Sequence, residues 1–355
     1  MNNRIQKLIE VIKEKNVDAF LVTNMKNIRY LTGFTGDTGR VIITGDKAAL
    51  VVDGRFTEQA KKESKIEVVD YNGNFTKTIY EICKNNSVRN LGFESTNLSY
   101  SEYLYIKDIM LDIDLIPIAD SIEKLRIYKD EEEIETIREA VRIADTTLER
   151  VIRKTIKAGM TERDIAAEIE YQFRKLGASG PSFDTIVVSG TRTSLPHGVP
   201  TDKKVENGDM ITMDIGCVYN GYCSDITRTI FLGTPHDIAK KTYNQVLEVQ
   251  KETIEYINEE MKCRDAEIFA RGKFNDMGIE KYFVHSLGHG VGLDVHEMPT
   301  VSEKSRFNFE KGMVFTVEPG IYIPEVLGVR IEDMLYVGKD GIEVITQFPK
   351  EMIVI

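Results

Sequence analysis

Two widely separated segments of the chain repeat one pattern. Thr212-Met213-Asp214-Ile215-Gly216 and Thr316-Val317-Glu318-Pro319-Gly320 both read Thr-x-acid-x-Gly, and both end a run of apolar, strand-like residues. Gly208 and Gly312 stand at the same distance upstream, and a second acid follows each copy: Asp225 after the first, Glu332 after the second. Acids set in apolar strands need partners, because a buried carboxylate is costly and neighbouring carboxylates repel unless cations hold them. The pattern therefore points to two related halves of one metal site.

Asn220-Gly221 between apolar flanks is a two-residue hairpin signal. With that pair as the turn, Asp214 falls opposite Thr227. Strand side chains alternate, so Asp225 shares a face with Thr227. Asp214 and Asp225 then become diagonal neighbours, roughly 7–8 Å apart along the backbones and within reach of a shared cation. The same register sets Cys217 opposite Ser224 and off the face bearing Cys223, so no disulfide between those cysteines is expected. Arg330 and Glu332 should point the same way, as should Thr316 and Glu318.

Of the five histidines, His285, His289 and His296 crowd into the glycine-rich stretch from Phe283 to Glu297, and His197 lies in Leu195-Pro196-His197-Gly198. His236 sits at an expected helix start and is assigned no role. His285 and His289 have the spacing of a helical zinc motif, but Ser286 stands where that motif carries its catalytic Glu. Gly288, Gly290 and Gly292 also weaken a helix, so an irregular loop is expected, with backbone free to approach a ligand. Neither a Gly-x-Ser-x-Gly elbow nor a phosphate-binding Gly-Lys-Ser/Thr loop is present.

A length of 355 residues suggests two domains, and 42% hydrophobic residues suffice for ordinary cores. A net charge of -11 argues against nucleic acid as a partner. Four cysteines, none in Cys-x-x-Cys, read as reduced thiols. Residues 1–18 are too charged for a signal peptide, and no apolar run approaches a bilayer span, so a soluble cytoplasmic protein is expected. Ile5, Leu8, Ile9 and Ile12 have helical spacing. Strands are expected at 19–23, 40–44, 48–52, 67–70, 91–93 and 112–117, alternating with helices near 56–63, 76–84 and 99–110. This is an α/β unit, and the boundary is placed so that domains cover 1–125 and 126–355. Asp130-Glu131-Glu132-Glu133 reads as a solvated helix start, favourable to the helix dipole. Beyond it, helices are expected at 133–157, 162–176, 235–260 and 265–277, and strands at 185–189, 209–215, 223–232, 313–317 and 329–337.

Taken together, Met213-Asp214-Ile215-Gly216, Ser224-Asp225-Ile226-Thr227-Arg228-Thr229, His285 to Gly292, Thr316 to Tyr322 and Gly328 to Asp333 resemble the pita-bread metallopeptidase family, which includes aminopeptidase P, Xaa-Pro dipeptidase (prolidase) and methionine aminopeptidase. Tyr30 to Gly36 and Asp53-Gly54-Arg55-Phe56 resemble the first domain of the Xaa-Pro peptidases, which methionine aminopeptidases lack. The resemblance covers essentially the whole chain. It implies an α/β (α+β) architecture: a creatinase-like amino-terminal domain, then a pseudo-two-fold pita-bread catalytic domain.

The resemblance implies five ligands to two divalent ions: Asp214, Asp225, His289, Glu318 and Glu332, with Asp225 and Glu332 bridging. An oxygen-rich set with one imidazole suits Mn²⁺, with Co²⁺, Fe²⁺ or Zn²⁺ as competitors. Glu318 would also move the proton of the attacking water, His197 and His296 would contact substrate and stabilise the tetrahedral state, and His285 would line a pocket for the proline ring. Arg330 would steady the acids or meet a substrate carboxylate. The expected activity is hydrolysis of the bond between an amino-terminal residue and a following proline. The Asp-Gly-Arg-Phe and Thr-Gly-Phe-Thr-Gly segments lean toward aminopeptidase P, with a dipeptide-restricted prolidase as the alternative. A non-catalytic binding relative and a creatinase-like hydrolase are the other classes, and the intact ligand set argues against both. The resemblance also implies a homodimer.

Overall fold

The computed structural model describes residues 3–71 and 73–355. Residues 1 and 2, which open the segment judged too charged for a signal peptide, lie outside the described residues. The chain divides into two compact units, Met1–Arg126 and Ile127–Ile355.

The first unit is built on a six-stranded sheet. Its spatial order is Glu67–Asp70, Lys47–Val52, Arg40–Thr44, Ala19–Val22, Asn90–Glu94 and Asp114–Ile118. The two central pairs made by Arg40–Thr44 are antiparallel, and the outer pairs are parallel. Gly45, at φ 57°, makes the expected tight turn between Thr44 and Lys47. Helix Asn3–Glu14 buries Ile5, Leu8, Ile9 and Ile12, the four residues that set its periodicity. A helix at Met25–Thr32 had no counterpart among the sequence expectations. It is too short for periodicity to reveal, and its caps define it: the Asn24 side chain accepts from the Lys26 and Asn27 amides, and Gly33 closes it at φ 80°.

The second unit is two similar halves. Each begins with a pair of packed helices: Glu131–Lys154 with Glu162–Lys175, then Asp237–Tyr256 with Cys263–Asp276. Each helix pair shares a core with the strands that follow it. In the first half Met210–Ile215 lies between Ile186–Ser189 and Ile226–Phe231, antiparallel to both. In the second, Val314–Val317 lies between Gly288–Gly290 and Asp333–Gly338, again antiparallel to both. A small hairpin links the central to the inner strand in each half: Cys217–Tyr219 with Tyr222–Cys223, and Gly320–Ile323 with Leu327–Arg330. Gly208 and Gly312 both adopt positive φ, 98° and 91°, in the turns entering the two central strands.

Four expectations need correction. Strands expected at 223–232 and 329–337 are each interrupted beside an acid. At Asp225 the amide turns to the Met334 sulfur, and at Glu332 it turns to the Thr227 carbonyl. The chain thus leaves its hairpin and crosses toward the other half at the acid itself. The loop expected around His289 contains a short strand, Gly288–Gly290, whose register shifts between His289 and Gly290. Its glycines explain both: a Cβ at Gly288 would overlap the Thr316 carbonyl, and one at Gly290 the Met298 carbonyl. The acidic helix start is also less solvated than expected. Glu133 is buried, accepts from the Asp130 amide in a capping box, and accepts from the Tyr222 hydroxyl at 2.6 Å.

The halves are sewn together by a buried ion pair. Arg228 Nη2 donates to Asp333 Oδ1 at 2.7 Å, with both side chains at most 2% exposed. Arg228 Nη1 also donates to the carbonyls of Thr227 and Glu332, and its other nitrogens reach the carbonyls of Phe348 and Pro349. Asp333 further accepts from Gln250, Thr346 and Lys350. Removing Arg228 would leave Lys350 as the cation on Asp333 and strip a buried donor from the carbonyls of Thr227, Glu332, Phe348 and Pro349. Arg228→Ala is therefore expected to lower unfolding free energy by about 3–5 kcal/mol, read by urea denaturation. A loss below ~1 kcal/mol would mean the pair holds nothing together.

Candidate metal centre

The hairpin register expected from Asn220-Gly221 is observed: Asp214 pairs with Thr227, and Asn220 and Gly221 take positive φ. Asp214 is the penultimate residue of the central strand of the first half and Glu318 follows that of the second; Asp225 and Glu332 directly precede strands Ile226–Phe231 and Asp333–Gly338. Two-fold repetition thus directs four acids from equivalent positions into one space.

In that space Asp225, His289 and Glu332 each offer a ligand atom within 4.8 Å of the others. His289 Nε2 lies 3.6 Å from Asp225 Oδ2 and 3.4 Å from Glu318 Oε1. Asp214 reaches the cluster through Arg330, whose Nη2 donates to Asp214 Oδ2 at 2.6 Å. Arg330 Nε donates to the Thr227 hydroxyl, which donates to Glu332 Oε2 at 2.7 Å. One guanidinium and one hydroxyl thereby connect acids of both halves.

The electrostatics are those of a site made for cations. Burial raises the carboxyls of Asp225, Glu332 and Glu318, and the neighbouring acids raise them further. Burial opposes the Arg330 charge, yet Tyr322 and the surrounding acids keep its pKa above the ordinary value. The donor chemistry also fits a metal. His289 Nδ1 faces the Gly290 carbonyl at 3.1 Å, so it carries the proton and leaves the Nε2 lone pair toward the acids. Burial and nearby His296 lower the His289 pKa to about 4, which keeps the ring neutral. Asp214 Oδ1 is buried with no hydrogen-bond partner, an acceptor aimed at something the protein itself does not supply.

A cavity of about 300 Å³ opens onto these groups. Asp214, Asp225, His289, Glu318 and Glu332 line it together with His197 and His296, and Phe183, Ile186, Val199 and Pro200 add apolar wall. His285 and Arg330 do not line it. His285 Nδ1 donates to the Ser286 carbonyl at 2.8 Å, leaving Nε2 to accept from the Tyr322 hydroxyl at 3.0 Å. That hydroxyl in turn accepts from Arg330 Nη1 at 2.6 Å. Burial lowers the His285 pKa to about 4, consistent with this neutral tautomer.

Sequence reasoning missed two residues here. Tyr322 links His285 to Arg330, and Thr227 links Arg330 to Glu332. Thr227 had a signal, since the hairpin register set it opposite Asp214. Tyr322 had none beyond its place in a motif, because its partners come from other elements. The backbone of the 283–287 segment is also pinned: Glu267 accepts from the Leu287 amide, and Arg271 donates to the carbonyls of Phe283 and His285.

Mutual repulsion should make the metal-free protein less stable than it would be with fewer charges. In the presence of chelator, Asp225→Asn is expected to raise the melting temperature, by a few degrees per kcal/mol relieved. Adding a divalent ion should stabilise the parent protein by about 2.7 kcal/mol at a hundredfold excess over Kd, and the variant far less. A variant that binds the ion as tightly as the parent would remove Asp225 from the ligand set.

Comparison with known proteins agrees with this geometry. The family model of metallopeptidase family M24 matches residues 135–339, and that of the Creatinase/Prolidase N-terminal domain matches residues 4–128. The Xaa-Pro dipeptidase of Pyrococcus furiosus is 41% identical over 354 residues, 99% of this chain and 100% of its own length. A solved Xaa-Pro dipeptidase from Bacillus anthracis superposes with a TM-score of 0.97 at 42% identity, covering 99% of each chain. The X-Pro aminopeptidase from Thermotoga maritima gives a TM-score of 0.90 at 37% identity, covering 96% of this chain and 98% of its own. The M24 model spans more than half of the chain, and these relatives match it nearly end to end: the chain belongs to metallopeptidase family M24, a family of metal-dependent peptidases.

Proposed function

We propose that this metallopeptidase is an Xaa-Pro dipeptidase, hydrolysing the bond between an amino-terminal residue and a carboxy-terminal proline. The aminopeptidase preference drawn from the first-domain motifs gives way to its alternative here, because dipeptidases of matching length align end to end with the chain. The observation that carries the peptidase reading is the donor set itself: a neutral His289 with Nε2 free among Asp225 and Glu318, beside the orphaned Asp214 Oδ1.

In this reading Asp214, Asp225, His289, Glu318 and Glu332 hold two divalent ions, with Mn²⁺ the best match to an oxygen-rich set. Bound there, the ions would polarise the scissile carbonyl and acidify a water. Glu318 takes a proton from the attacking water as its oxygen adds to the carbonyl carbon. The same carboxyl returns that proton to the proline nitrogen as the C–N bond breaks, which an imide nitrogen needs before it can leave. His197 and His296 face the cavity and offer N–H donors to the oxygen that gains charge in the tetrahedral state. His296 is kept below its ordinary pKa by burial, so it serves as a neutral donor. Arg330 is fully engaged with Asp214, Thr227, Tyr322 and the Pro196 carbonyl, which favours its steadying the acids over its meeting a substrate carboxylate. We assign His285 the support of Tyr322 rather than a wall of the proline pocket. A homodimer is part of the same reading, checked by light scattering.

With Mn²⁺ supplied, release of the first amino acid from an Xaa-Pro dipeptide is expected to exceed that from Xaa-Pro-Xaa by at least about tenfold in kcat/KM, some 1.4 kcal/mol of discrimination. Equal or faster cleavage of the longer peptide would restore the aminopeptidase reading. Glu318→Gln is expected to lower kcat by about 10²–10⁴-fold while the protein stays folded. A variant with parent-like kcat would remove Glu318 from proton transfer.

A further inference from the structure

The segment that brings His197 to the cavity has little regular structure of its own. After strand Ile186–Ser189 comes a single 3-10 turn, Gly190–Ser194, and no ladder holds the chain from there to Thr201. Both ends of this loop are nevertheless tied to one carboxylate. Glu162, the first residue of helix Glu162–Lys175, is wholly buried. Its Oε1 accepts from the Ser189 amide at 2.8 Å and the Ser189 hydroxyl at 3.0 Å. Its Oε2 accepts from the Thr201 amide at 3.0 Å and the Thr201 hydroxyl at 2.8 Å. Arg192 Nε lies against both oxygens at 3.2 and 3.1 Å, and Arg192 Nη2 crosses the loop to the Val199 carbonyl at 2.7 Å.

The helix does not need this carboxylate. Thr161 and Asp164 already form its capping box, so Glu162 is free to turn inward. A buried charge is tolerated only when its lone pairs are filled, and here loop donors fill them. Near its middle the same loop is steadied from the other half, where Arg330 Nη1 reaches the Pro196 carbonyl and the Gly328 amide donates to the Thr193 hydroxyl. The second half uses a related device, in which buried Glu267 and its partner Arg271 pin the backbone that bears His285.

We propose that Glu162 is a positioning residue for the reaction: by closing the 189–201 loop at both ends it holds His197 in the cavity wall. This rests on His197 contacting the reacting carbonyl, as proposed above. Small misplacements of such a group are expensive in rate, up to about a hundredfold per ångström.

The test combines Glu162→Gln, the milder Thr201→Val, His197→Ala and the Glu162→Gln/His197→Ala double variant, each loaded with Mn²⁺. Hydrogen exchange across 190–201 reads the loop directly, and kcat and KM on an Xaa-Pro dipeptide read its consequence. Glu162→Gln is expected to speed exchange in that loop and to lower kcat by about tenfold or more, with KM changing less and metal content unchanged. Thr201→Val should move both in the same direction by a smaller factor, and it keeps the test alive should the first variant fail to fold. The double variant should be no slower than His197→Ala alone. Parent-like exchange across 190–201 in the variants that fold, or kinetic losses that multiply in the double variant, would overturn the proposal. Parent-like kcat in His197→Ala would instead overturn the role of His197, and the loop clamp would then stand or fall on exchange alone.

Discussion

Repulsion among buried carboxylates is the constraint around which the second unit is organised. Asp225, Glu318 and Glu332 lie where water screens little, and burial first and then the neighbouring acids, Asp214 among them, raise the cost of ionising each. Among the described residues the permanent cation there is Arg330, and it is committed to Asp214. The rest of the balance has to come from outside the chain. A neutral histidine with its free lone pair turned inward and an unpartnered Asp214 oxygen are the same demand expressed in hydrogen-bonding terms.

Holding repelling groups together requires a rigid frame, and a buried ion pair, Arg228 with Asp333, lies directly beside the acids. Arg228 grips the carbonyls of Thr227 and Glu332 while pairing with Asp333, so the backbone on both sides of the seam is fixed by one side chain. Thr227 then joins Arg330 to Glu332. Around this core, the histidine-bearing segments are less regular, and each is secured by a buried glutamate on the second helix of its own half: Glu162 for the segment of His197, Glu267 for that of His285. Repetition in the fold is thus repetition of anchoring: acids stand in or beside the strands of both halves, and a buried glutamate pins a histidine-bearing segment in each.

Much of this was legible in the sequence where the information is local. Asn220-Gly221 set a hairpin register that the structure reproduces residue for residue, Asp214 against Thr227. The Thr-x-acid-x-Gly echo identified the two halves, and all five candidate ligands line one cavity. Other features were illegible for specific reasons. Helix Met25–Thr32 depends on its caps, which outweigh a pattern too short to show a period. The strand at Gly288–Gly290 looked like a loop because its glycines were read as conformational freedom, whereas they are needed for close approach to Thr316 and Met298. The interruptions at Asp225 and Glu332 were invisible because their amides bond to Met334 and Thr227, partners far off in the chain.

By itself the sequence brought Asp214 and Asp225 together, because a two-residue turn and strand alternation are set by neighbouring residues, and its family resemblance singled out His197, His289, His296, Glu318 and Glu332, which line the same cavity. The two-halved plan was legible in the repeated Thr-x-acid-x-Gly pattern. Only the tertiary structure decided that Arg330 is spent on Asp214, that His285 stands behind Tyr322 instead of in the cavity, and that Glu162 closes the loop of His197. Those choices are made between side chains many residues apart, whose meeting depends on how the two halves pack and on which buried polar group has no other partner to satisfy it.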